Sequence, residues 1–332
     1  MDERITMSHG AGGKATGHLI ESVFKRAFSG PLFTADDAAL LPAVGGRLAM
    51  TTDGFVVSPQ FFPGGDIGKL SICGTVNDLA CMGARPLYLT CSFIIEEGYA
   101  VADLQRLADS MAKTAREAGV AIVAGDTKVV AKGQCGGVFI TTAGVGEVVA
   151  EGLSGANVQD GDAVIVTGDI GRHGCAILVA RGEFGISAEI ASDCAPLWAL
   201  VRDAAGTGSL HAVRDATRGG VGTVLNEIAG QSGVRINLDE AALPVSDAVR
   251  GVCGLLGLEP LFMACEGRMV LFAAERDAQE IISRMSVYEC GKNAAIIGTV
   301  QKADKPSVTV HTKAGGTRLL PAPGGELLPR IC

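Results

Sequence analysis

Four short segments of this chain carry aspartates beside small residues: Asp36-Asp37-Ala-Ala39, Thr51-Thr52-Asp53-Gly54, Asn77-Asp78 and Gly125-Asp126-Thr127-Lys128. Each stands at the end of an apparent strand or helix. A single aspartate there is most often a turn or cap residue. A recurring set can gather around a divalent cation, because magnesium takes oxygen ligands and bridges carboxylates to substrate phosphates. Without a cation, gathered carboxylates would repel and raise one another's pKa. Asp37, Asp53, Asp78 and Asp126 are therefore the candidate metal ligands. A second feature is the turn Ser8-His9-Gly10-Ala11-Gly12-Gly13-Lys14, followed by a helical pattern over residues 15–24. Glycines let backbone N–H groups crowd an anion, and a lysine adds charge beside a helix N-terminus. Gly10, Gly12, Gly13 and Lys14 are thus candidate anion binders, although the spacing is not that of a Walker A loop. A flexible turn is the plain alternative.

Two further junctions carry charge. Val213-Arg214-Asp215-Ala216-Thr217-Arg218-Gly219-Gly220 leads into a helical pattern, where Asp215 or Thr217 would serve equally as an N-cap. Ala264-Cys265-Glu266-Gly267 sets a carboxylate before an apolar run, a place that by itself suits a surface residue at a strand end. The last residue of the sequence is Cys332, closing Pro321-Ala-Pro-Gly-Gly-Glu-Leu-Leu-Pro-Arg-Ile-Cys332. The prolines and the Gly324-Gly325 pair favour an extended tail with a hinge, spanning up to roughly 40 Å at about 3.3–3.6 Å per residue. A thiol on such a tether could enter a cleft, be modified and swing out. A frayed end is the plain alternative.

The elements that must hold these residues are mixed α and β. Residues 103–115 place apolar side chains at helical spacing until Gly119 stops them. Residues 120–124, 138–143 and 163–167 are apolar runs expected as strands. The Gly-rich polar segment 152–162 marks a domain boundary, so domains are expected over 1–154 and 155–314, with a mobile tail over 315–332. The chain has 332 residues, 48% hydrophobic and 19% charged, enough for two cores. Its net charge of −8 argues against nucleic acid, which asks for a clustered basic face. No run suits a membrane span, and Met1-Asp-Glu-Arg-Ile-Thr lacks the apolar core of a signal peptide. The ten cysteines include no Cys-x-x-Cys pair and read as reduced, cytoplasmic thiols that mostly fill core.

Taken together, Thr51-Thr-Asp-Gly-Phe-Val-Val57, Phe62-Pro-Gly-Gly-Asp-Ile-Gly68, Gly74-Thr-Val-Asn-Asp-Leu-Ala80, Gly125-Asp-Thr-Lys-Val129, Asp215-x-Thr-Arg-Gly-Gly220 and the closing Pro329-Arg-Ile-Cys332 resemble the HypE family of hydrogenase maturation factors. That family lies in the aminoimidazole ribonucleotide synthetase-like (PurM-like) superfamily, and the resemblance runs from Ser8 to Cys332. It implies an α/β (α+β) fold of two PurM-like domains, with homodimerisation through the N-terminal sheet. It also implies a carbamoyl dehydratase: the carbamoyltransferase HypF loads the terminal cysteine, and ATP drives dehydration of the S-carboxamide to an S-cyanate. The cyanide then passes to iron on the HypC–HypD complex. By the same resemblance, ATP and Mg2+ are expected at Gly10, Gly12, Gly13, Lys14, Asp37, Thr52, Asp53, Asn77, Asp78, Gly125, Asp126, Thr127 and Asp215. Cys332 would be the acceptor, Glu266 the base and Lys128 the group that polarises phosphate or oxygen, with His9 a further candidate. Selenophosphate synthetases usually carry a cysteine or selenocysteine near the N-terminal Gly-rich loop. This chain has none before Cys73, which counts against that activity.

Overall fold

The computed structural model describes residues 4–33 and 38–324. After a 3-10 turn (Met7–His9), α1 (Lys14–Leu19) runs through a π-helical stretch (Ile20–Lys25) into α2 (Arg26–Phe28). Helix character over residues 15–24 is thus present, with its second half wound more widely than an α-helix. The strands of the first half are β1 (Leu48–Phe55), the short pair β2 (Phe61–Phe62) and β3 (Gly65–Asp66), β4 (Ala84–Glu96), β5 (Ala121–Val130) and β6 (Val138–Val148). β1, β6, β4 and β5 form one sheet in that order. β4 and β5 are parallel and joined by α4 (Val101–Ala118), while β1 and β4 each run antiparallel to β6. The helix stop at Gly119 is a left-handed residue with φ of 70°, which glycine adopts without a Cβ penalty.

Helix α3 (Ile67–Cys81) is buried along nearly its whole length. Its N-terminus is capped by Asp66, whose carboxylate accepts the Lys69 N–H at 2.9 Å. Small residues bring it close to its neighbours. A Cβ on Gly68 would lie 2.6 Å from Leu107 O of α4, and one on Gly144 of β6 would lie 2.7 Å from the Thr75 methyl. One face of the sheet is therefore covered by α3.

The second half holds β7 (Asp162–Val166), α5 (Arg172–Arg181), α6 (Trp198–Ala205), β8 (Leu210–Asp215), α7 (Gly220–Ser232), β9 (Val234–Asp239), α8 (Asp247–Leu256), β10 (Met269–Ala274), α9 (Ala278–Met285), β11 (Ala295–Lys302), β12 (Ser307–His311) and β13 (Thr317–Leu319). The strands form a seven-stranded sheet ordered β13-β12-β9-β11-β7-β10-β8. β13 pairs with β12 and Leu320 is buried, so the sheet takes up residues 317–320 of the segment expected as tail from 315. One hydrophobic core joins the halves, holding Leu70, Ile72 and Phe93 of the first with Trp198, Val201 and Met285 of the second. At about 1.5–3 kcal/mol per buried large apolar side chain, that shared core ties the two sheets together. Among the described residues no helix is long and apolar enough to cross a membrane.

Candidate active site

Alternation along β1 sends Thr51 and Asp53 to the face covered by α3 and Thr52 to the other. In the lateral row, Asp53 stands beside Thr142 and then Cys91, both buried. Gly74 of α3 makes room for this row: a Cβ there would lie 2.8 Å from the Phe55 ring and 3.7 Å from Asp53 Oδ2. Asp53 Oδ1 accepts its neighbour's N–H from Gly54 at 2.9 Å. On α3, Asp78 accepts the Thr51 hydroxyl at 2.8 Å. From the second half, β8 ends in Asp215, and the irregular segment before β10 supplies Glu266.

These four carboxyls form one electrostatic group. Burial raises the pKa of Asp53. Burial, then the charge of Asp215, carries Asp78 to about 6. Burial raises Asp215, with Asp53 adding to it. Glu266 is only 4% exposed, and burial pushes it well above the usual carboxylate range, assisted by Cys194, Asp215, Asp193 and Asp53. Against this, Arg218 lowers Asp53, and Arg214 lowers Asp78 and Asp215. Both arginines belong to the segment that presents Asp215, whose following helix begins at left-handed Gly219 rather than at a capping Asp215 or Thr217. Among the described residues no three His, Cys, Asp or Glu side chains already form a metal cage. Burial is the main cause that raises these carboxyls, with neighbouring carboxylates adding to it at Asp78, Asp215 and Glu266. Such a group nevertheless fits a divalent cation, which would offset the cost of holding the charges out of water.

Glu266 is held from both halves of the chain. Its N–H donates to Asp193 Oδ1 at 3.1 Å. Its C=O accepts from Asn77 Nδ2 at 3.5 Å, and the same amide donates to Ala195 O at 3.1 Å. Asn77 Oδ1 accepts the Leu197 N–H at 2.8 Å. Asn77 is thus buried and committed to the opposite half, which corrects its expected role as a nucleotide ligand. Gly267 lets residues 265–268 pass under the 192–195 segment, because a Cβ there would fall 1.8 Å from Asp193 O. Arg268 lies beyond, paired with Asp169 at 2.6 Å and standing 3.8 Å from Asp193 Oδ2.

The remaining expected residues lie elsewhere. Asp126 and Lys128 pair with each other at 2.7 Å on β5, both side chains more than half exposed. Asp126 lies in the row of Ser92, Thr141 and Gly54, on the face opposite Asp53. Three strand spacings, about 14 Å, separate β5 from β1. One magnesium, with ligands at about 2.1 Å, cannot take both aspartates from a single chain. Thr52 sits on the uncovered face and donates to Thr142 O at 3.1 Å.

The Gly-rich turn packs on β5, since a Cβ on Gly10 would meet Val129 at 2.8 Å. Gly12 and Gly13 are left-handed, and Lys14 opens α1. His9 Nδ1 accepts the Thr6 N–H at 3.0 Å, so that nitrogen closes its own turn. Nearby, Phe24, Phe28, Phe33 and Phe93 line a cavity of about 140 Å3 with Gly125, Asp126 and Thr127 at its rim. Asp37 and Cys332, like the tail from residue 325, lie outside the described residues. Sequence reading missed Asp193, Arg268 and the hydroxyl of Thr51; nothing in the spacing of residues 193 and 266 pairs them.

Comparison with known proteins sets the class. Residues 35–148 match the model of the AIR synthase related protein N-terminal domain, and residues 159–311 match that of its C-terminal domain. This is a two-domain AIR synthase related protein. The carbamoyl dehydratase HypE of Cupriavidus necator is 50% identical over 333 residues, covering 99% of this chain and 95% of that protein. A crystal structure of the hydrogenase maturation protein HypE in complex with ATP superposes with a TM-score of 0.94 at 44% identity, covering 98% and 99% of the two chains. A structure of a HypE–HypF complex matches at a TM-score of 0.81 and 46% identity, covering 92% and 99%. The chain belongs to the HypE family of carbamoyl dehydratases, enzymes of hydrogenase maturation.

Proposed function

We propose that this chain uses ATP to dehydrate an S-carboxamide on its own Cys332 to an S-cyanate. The observation that carries this reading is the buried Glu266, under the charges of Asp215 and Asp53 where the two halves meet. ATP as the second substrate is supported by the ATP-bound HypE relative. HypF as the carbamoyl donor is supported by the HypE–HypF complex. Delivery of cyanide to iron on HypC–HypD, in the cytoplasm, completes the reading by family.

The chemistry asks for three things. Hydroxide leaves poorly, so the γ-phosphoryl group moves from ATP to the amide oxygen, releasing ADP. The amide nitrogen then gives up its protons as phosphate departs with the oxygen, leaving S–C≡N. A magnesium ion at Asp53, Asp78 and Asp215 would neutralise charge on the transferring phosphoryl group. Arg214 and Arg218 stand on the same side to balance the carboxylates. Glu266 suits proton removal because burial raises its proton affinity above that of an ordinary carboxylate. A tether supplies the carboxamide at high effective concentration, with no need for a tight pocket.

The uncovered face of the four-stranded sheet supports a homodimer. Leu48, Met50 and Ile94 are exposed there, an apolar surface beside Asp126 and Lys128. In such a dimer Asp126, Lys128 and the Gly10–Lys14 turn would act at the interface rather than beside Asp53 of their own chain.

Cys332→Ala tests the reading. After incubation with HypF, carbamoyl phosphate and MgATP, it should form no cyanate while folding and binding MgATP normally. An unchanged ATP-dependent turnover would favour a small-molecule kinase or synthetase of the same superfamily, in which Cys332 plays no part.

A further inference from the structure

Glu266 lies outside every strand, so its own N–H and C=O have no ladder partner. Side chains take their place, one from each half of the molecule. Asp193 accepts the N–H at 3.1 Å, and Asn77 donates to the C=O at 3.5 Å. We infer that Asp193 and Asn77 are positioning residues that together fix the Glu266 carboxyl relative to Asp78, an inference resting on the reading of Glu266 as the base.

Three observations support it. Asn77 precedes Asp78 on α3, so the helix that presents a candidate metal ligand also grips Glu266. Asn77 further holds residues 195 and 197, the stretch directly after Asp193. Both clamps therefore act on one strap, residues 193–197, and Pro63 O reinforces it by accepting the Ser192 N–H at 2.7 Å. Asp193, finally, has no side-chain exposure, and its second oxygen has no hydrogen-bond partner. An unpaired buried carboxylate oxygen is costly, so this residue is poorly explained as core filling. Arg268, at 3.8 Å, offsets its charge without bonding to that oxygen. A base displaced by about 1 Å loses on the order of a hundredfold in rate.

The test measures single-turnover conversion of carbamoylated Cys332 to cyanate in the full chain, by mass, alongside MgATP affinity. Asn77→Ala and Asp193→Ala should each slow conversion about ten- to a hundredfold while leaving MgATP affinity near the parental value. Asp193→Asn retains an oxygen for the Glu266 N–H and should recover most of the rate, which loss of general stability would not do. The double variant Asn77→Ala/Asp193→Ala should lose less than the product of the single effects, because both act through one carboxyl. Parental rates in Asn77→Ala and Asp193→Ala, with Glu266→Gln slow, would overturn the inference and leave Glu266 as the base. A parental rate in Glu266→Gln would remove the base and the inference with it. Should Asp193→Ala fail to fold, Asn77→Ala decides: a parental rate there overturns the inference.

Discussion

Asp78 shows how one residue's surroundings set its chemistry. Its carboxyl is carried to about 6 by burial and then by Asp215, against an ordinary value near 3.9. The folded chain thus holds this proton more tightly than the unfolded chain. Stability from Asp78 is present below about pH 4 and is lost as pH rises through about 6. The ionised form is also the one a cation needs, so magnesium-dependent ATP affinity should strengthen through the same window. Calorimetry on Asp78→Asn should show affinity weakened tenfold or more, to order of magnitude, near pH 8 and little changed near pH 5. Equal affinities for parent and variant at both pH values would remove Asp78 from the metal site. Asp53 and Asp78 stand out in the sequence as carboxylates at element ends, whereas Asp215 reads equally as an N-cap and Glu266 as a surface residue, so that only the family resemblance singles out those two. Asn77 was legible as part of the same motif but not in its role. Its partners lie 118 and 189 residues away at Ala195 and Glu266, and no local pattern encodes such pairings.

At the scale of elements, strand alternation and strand order divide the expected site in two. Asp53 and Asp126 both sit on strands of one sheet, yet on opposite faces and three strands apart. Sequence spacing carries neither fact, because strand order is set by the β4-α4-β5 crossover and by β6 entering between β1 and β4. Helix α4 and its stop at Gly119 were plain from periodicity. β13 was hidden because Thr317–Leu319 is too short to show alternation beside the glycines and prolines that follow. The uncovered face is where the sheet has a consequence for assembly. Met50 on β1 is 76% exposed there, and Met50→Lys should place a charge in the proposed dimer contact. Sedimentation should then find the parent as a dimer and the variant shifted towards monomer. A parental chain that sediments as a monomer at micromolar concentration would contradict this assembly.

The whole molecule joins two sheets through α3, a shared core and the strap that grips Glu266. On the proposed function, this arrangement would make the dehydration site a property of both halves, with phosphoryl chemistry on one side and proton removal on the other. The substrate would arrive on the chain's own Cys332. The central claim is that ATP removes the elements of water from a carboxamide on Cys332, and intact mass tests it most directly. The chain is first carbamoylated by HypF, then freed of HypF and given MgATP. The mass should fall by that of one water, with one ATP consumed per chain, and the loss should map to the peptide ending in Cys332. ATP consumed with the carboxamide mass unchanged, or a return to the free thiol without passage through the cyanate, would contradict it.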